Sequence, residues 1–149
     1  MQNIGAKKPE RVVQIFKAGL LVITFYTALL WAILSVVYPV LIDLYHAKGL
    51  AAHLIKLYSQ VQLPMFAGLG FLAMSNILFN NLGKPLWATW FNGLRSTLGT
   101  FLLCGVGAWL FGLDGVVIGS SLTFAVFGAL ALFAAFVLFK RHYPDTRWY

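Results

Sequence analysis

From Ala18 to Ile42 no residue carries a formal charge, and nearly every side chain is aliphatic or aromatic. A helix of about 20 apolar residues crosses the roughly 30 Å hydrocarbon core of a bilayer. The run therefore fits a membrane span. Three more follow, at about 61–82, 87–111 and 115–139. The second and fourth are also uncharged, and the third contains one cation, Arg95. These runs lack the strict alternation of barrel strands, so helix is the expected structure. The expected fold is all-α: one polytopic membrane domain over residues 1–149 with four transmembrane helices.

Composition supports the bilayer as solvent. Hydrophobic residues make up 60% of the chain and charged residues 10%, against about 25% charged in ordinary soluble domains. A small soluble domain has too much surface for its volume to hide that apolar excess. The net charge of +7 would suit a nucleic-acid binder, but the cations lie between apolar blocks and form no basic module. They suit membrane orientation, and no nucleic-acid partner is expected. The first span follows a basic leader, yet it is too long for a signal-peptide core and no small-residue cleavage site follows it.

Charge asymmetry gives an orientation. Lys7, Lys8, Arg11, Lys17, Lys84, Lys140, Arg141 and Arg147 fall on the side shared by both termini and the middle turn, whereas only Lys48 and Lys56 fall on the other. Cationic loops stay in the cytoplasm, so both termini are expected there. Between Asp43 and Gln60 lies the longest connection. From Leu50 its apolar residues recur at helical spacing, as in an interfacial amphipathic helix running into the second span. Pro64 should bend that helix near its start. In N-N-L-G-K-P, Gly83 should cap one helix and Pro85 open the next. F-G-L-D-G reads as a tight turn.

Few residues could carry chemistry. Arg95 lies eight residues past Trp87, about 12 Å along a helix. It either snorkels to the headgroups, pairs with carbonyls, or lines a water-filled cavity. Asn76 and Asn80 share one helix face. They either bond across a helix interface or line a substrate path, with Met74 and Phe79 nearby. Gly115 and Gly119 form a G-x-x-x-G pair that permits close helix approach. Asp43 and Asp114 sit at helix ends and read as turn or cap residues. Cys104, the single cysteine, reads as a small apolar residue. No catalytic set, metal cluster or cofactor motif can be assembled, so no enzyme is expected.

Three stretches carry a family resemblance. Q-N-I-G-A-K-K-P-E-R-V, with Gln2, Asn3, Gly5, Ala6, Pro9, Glu10 and Arg11, resembles the entry to a helix in multidrug and toxic-compound extrusion (MATE) transporters. F-N-N-L-G-K-P-L-W-A-T-W-F-N-G-L-R, with Gly83, Lys84, Pro85 and Arg95, is similar to the turn between the family's tenth and eleventh helices. F-G-L-D-G-V-V-I-G, with Gly112, Leu113, Gly115 and Val116, is similar to the turn before its last helix. L-I-D-L-Y resembles the end of its ninth.

The resemblance implies efflux of organic, often cationic, compounds by alternating access, driven by sodium or protons, in a bacterial inner membrane. It also implies a C-terminal part of a two-lobed, twelve-helix transporter. The chain would then be a fragment whose partner is the missing N-terminal lobe. One branch of the family places an acid in its tenth helix. The second span here has none, so no coupling-ion ligand is recognisable. Two other readings stay open. One is a stand-alone four-helix protein that scaffolds or handles lipid-linked sugars; a small multidrug carrier of that size would be expected to hold a glutamate in its first span. The other is a nonfunctional remnant.

Overall fold

The computed structural model describes residues 9–146, and among these every regular element is helical. Helix α1 spans Pro9–Leu44, α2 Leu50–Leu57, α3 Leu63–Asn81, α4 Pro85–Leu94 and α5 Thr100–His142. Two wide π turns, Tyr58–Gln62 and Arg95–Gly99, join α2 to α3 and α4 to α5. Three stretches are long and apolar enough to cross a membrane: Pro9–Leu44, Leu50–Asn81 and Pro85–His142.

The third of these is folded back on itself. Thr123 Oγ1 donates to the carbonyl of Gly99 at 3.2 Å, yet 24 residues of continuous helix would separate them by about 36 Å. The main chains of Gly107 and Gly115 also meet. The reversal is at Gly112, with φ 59° and ψ −136°. A side chain disfavours that backbone conformation strongly, and glycine adopts it freely. The F-G-L-D-G turn is thus where the sequence places it, and α5 consists of two antiparallel arms, residues 100–111 and 113–142.

The first span starts earlier than expected. Helix α1 is already formed at Pro9 rather than Ala18, and its 36 residues extend about 54 Å. The reason lies in packing. Val12, Val13 and Phe16 fall on one helical face and are buried against Leu78, Phe79, Leu82, Ala135 and Phe139. The basic leader therefore contributes an apolar stripe to the core. Arg11 is exposed beside the stripe, and Lys17, four residues after Val13, is half-buried at its edge.

Helix α3 is the hub. It packs on α1, where Gly70 receives Ile23 and Gly19 receives Met74. It packs on the second arm of α5, where Gly68 and Gly128 bring the main chains together and Phe66 stacks on Phe124 at 5.2 Å. It packs on α4 through Phe79 and Phe91, stacked at 5.8 Å. Its sequence is largely apolar, and one face stays uncovered, with Phe66, Ile77 and Asn80 exposed. The α3–α4 turn closes with two bonds, Lys84 N–H to Phe79 O at 2.9 Å and Gly83 N–H to Asn80 O at 3.1 Å, with Gly83 at φ 70°. This is the Schellman cap, followed by Pro85 at the first turn of α4. The same pattern ends α1, where Ala47 N–H reaches Ile42 O at 2.9 Å and His46 takes the left-handed position at φ 48°.

Candidate functional site

Phe79 and Phe91 fix the register of α3 against α4. Asn76 is three residues deeper on α3, about 4.5 Å, and Arg95 four residues deeper on the other helix, about 6 Å. The two polar residues therefore occupy one level of the bundle. Both hold a buried atom with no hydrogen-bond partner, Asn76 Oδ1 and Arg95 Nε. One is an acceptor and the other carries a donor proton. Native interiors rarely leave such atoms unpaired, and the shortage is more severe where no bulk water reaches.

Local structure places Arg95. It opens the Arg95–Gly99 π turn, where Thr100 N–H bonds the carbonyl of Arg95 five residues back. Thr100 Oγ1 donates to the same carbonyl at 3.0 Å. Ser96 and Thr97 turn their hydroxyls back to Asn92 and Gly93 carbonyls at 2.8 and 2.7 Å. Such back-bonding loosens a helix, and π turns recur at functional sites. On the outer side, Leu86, Trp87, Trp90, Phe91 and Leu94 line a shallow groove of about 440 Å³. Ser96, Thr97, Leu98, Thr100 and Phe101 line the next, of about 470 Å³. Arg95 follows directly on one and precedes the other.

The remaining sequence candidates are dispersed. Phe79 is fully buried in the aromatic cluster with Trp87 and Phe91. Met74 is half-buried against Gly19 of α1. Asn80 is exposed at the end of α3. Gly115 faces the main chain of Gly107, and Gly119 that of Leu103. Cys104 is half-buried and directs its thiol to the carbonyl of Val116 at 3.6 Å. The Gln2–Lys8 part of the opening stretch and Arg147 lie outside the described residues.

Several polar contacts were not foreseen. Asp114 is more than a turn residue, since its Oδ2 lies 2.8 Å from His53 Nε2 and ties α2 to the hairpin. Gln62, at 7% exposure, donates through Nε2 to Ser120 Oγ at 3.2 Å.

A helical chain with long apolar helices and a few buried polar atoms inside them is compatible with a transporter core. A family model described as MatE matches residues 2–106. The chain belongs to the MATE family. Its match includes α1 to α4, the π turn at Arg95 and the start of α5, and leaves the second arm of α5 outside. MATE proteins are membrane transporters, not enzymes, and this member is a multi-pass membrane protein. No curated protein and no solved structure matches the chain.

Proposed function

We propose that this chain forms part of an antiporter that exports organic compounds by alternating access, coupled to sodium or protons. The family match carries the reading. The orphan atoms of Asn76 and Arg95 support it, because a side chain that must engage a passing solute is poorly served by a permanent internal partner. In this reading the two arms of α5 are separate membrane crossings, which gives four spans. Both termini lie in the cytoplasm, as the charge asymmetry favours, and the membrane is a bacterial inner membrane.

The organic substrates pass along a wall that includes Asn76 and Arg95, with Met74, Phe79 and Asn80 on the same helix as Asn76. The chain acts with an N-terminal lobe supplied by the same or another polypeptide. Lipid covers the exposed face of α1, where Leu21, Phe25 and Val36 are each more than 65% exposed.

Accumulation of a fluorescent organic cation tests this reading. Cells making the native product, sized with an antibody to Lys140–Tyr149, should accumulate less dye than cells lacking it. Arg95→Leu and Asn76→Leu should abolish that difference at equal protein level. Equal accumulation with and without the native protein, across sodium and proton gradients, would sink the proposal.

A further inference from the structure

Helix α2 is held differently from the long spans. None of its eight residues is buried, and no side chain caps its first turn. A helix that short is not stable alone in water. It persists through what it touches: the end of α1, the Tyr58–Gln62 π turn and α5.

Both ends of α2 are soft joints. The chain enters through a turn with two left-handed residues, His46 at φ 48° and Gly49 at φ 55°. Glycine moves between backbone regions with little steric barrier. Nothing lies within 4 Å of where a Gly49 side chain would begin, so packing does not pin that turn. The chain leaves through the π turn, whose wider hydrogen-bond step departs from the regular helix ladder.

Among the described residues, one side-chain hydrogen bond crosses from α2 to α5. His53 Nε2 lies 2.8 Å from Asp114 Oδ2. Asp114 stands two residues past Gly112, where the hairpin reverses. The two side chains are 50% and 39% exposed, so both are open to protons from the medium.

The charge on this bond follows pH. Histidine is the side chain that ordinarily changes charge between pH 5 and 8. A neutral ring donates one ordinary hydrogen bond to the carboxylate. An imidazolium makes the same bond charge-assisted, roughly twice as strong. The neighbouring titratable groups are Asp43 at the end of α1, Tyr45, His46 and Lys48 in the turn, Lys56 on α2 and Tyr58 in the π turn. None of them is bonded to His53 or Asp114. Aspartate, lysine and tyrosine ordinarily keep their charge across that pH range.

We propose that the His53–Asp114 pair is a pH-sensitive latch that fastens α2 to the tip of the α5 hairpin on mild acidification. Closure strengthens as pH falls from about 7.5 to 5.5, because the imidazolium form gains from the pair. It weakens again below about pH 4, where an aspartate loses its charge. With the latch open, α2 moves on Gly49 and the π turn, and so moves the start of α3. The latch does not depend on the transport reading.

Hydrogen–deuterium exchange of amides 54–57, on the full chain in nanodiscs, tests it. Each rate is divided by the intrinsic rate of an unstructured chain at the same pH. Protection should rise about two- to fivefold from pH 7.5 to 5.5, the size expected of an exposed ion pair. Amides 72–79 of α3 should not follow. His53→Gln and Asp114→Asn, which can still hydrogen-bond but carry no charge, should abolish the rise. His46→Asn should keep it, since asparagine tolerates the left-handed conformation. If Asp114→Asn disturbs the hairpin, His53→Gln on the exposed helix decides. No rise in the wild type would overturn the proposal. So would a rise that survives His53→Gln, or one shared equally by amides 72–79.

Discussion

At the end of the bundle that carries both termini, Val12, Val13, Phe16, Leu78, Phe79, Leu82, Ala135 and Phe139 pack into one apolar cluster. At the other end, Ser35, Ser59, Gln62, Ser120 and the His53–Asp114 pair replace it. The first region gains from shape. Its rings and branched side chains fill space, and lipid tails could not pack the same surfaces as tightly. The second is held by a few polar bonds and main-chain contacts at glycines. It also contains a π turn, an internal proline in α1 and orphan oxygens. A rigid end joined to a deformable end is the arrangement that hinge-like motion needs.

Substitutions can break or sharpen that contrast. The largest loss should come from the dry end. Phe79→Ala leaves a cavity between α3 and α4 and should lower stability by about 3 kcal/mol, read as reversible unfolding in mixed detergent micelles. Next is Gly115→Leu, whose side chain must displace the Gly107 main chain. It should cost about 2 kcal/mol and lower the melting temperature in the same detergent. Asn76→Leu should act in the opposite direction. It removes an orphan acceptor and should stabilise by about 1 kcal/mol in that unfolding assay, while efflux by the native product is lost. The smallest effect should be His46→Gly. It relieves a left-handed residue at the α1 cap and should stabilise by about 0.5 kcal/mol, read as a small rise in melting temperature.

Much of the fold was legible in the residues. Hydrophobic length marks the long apolar helices, and Gly83, Pro85 and Gly112 mark the turns, because each has a backbone requirement that few residues meet. The start of α1 was not legible. Lys17 and Arg11 mask the apolar stripe of Val12, Val13 and Phe16, which becomes visible only when Phe139 and Phe79 come to meet it. The π turns were hidden for a similar reason, since their hydrogen-bond shift leaves no composition signature. Arg95 and Asn76 stood out singly as polar residues in apolar runs. Their common level depends on the register set by Phe79 and Phe91, a contact between helices. Gln62 passed unnoticed because it lies at the boundary of an amphipathic stretch, where a glutamine is ordinary.

Hydrogen–deuterium exchange on the chain in nanodiscs tests the contrast between the two ends most directly. Amides within 12–16, 78–81 and 135–139 should exchange slowly, and those within 58–62 and 95–99 much faster, although all five stretches are helical. Equal protection across the five would contradict a rigid apolar end joined to a deformable polar one.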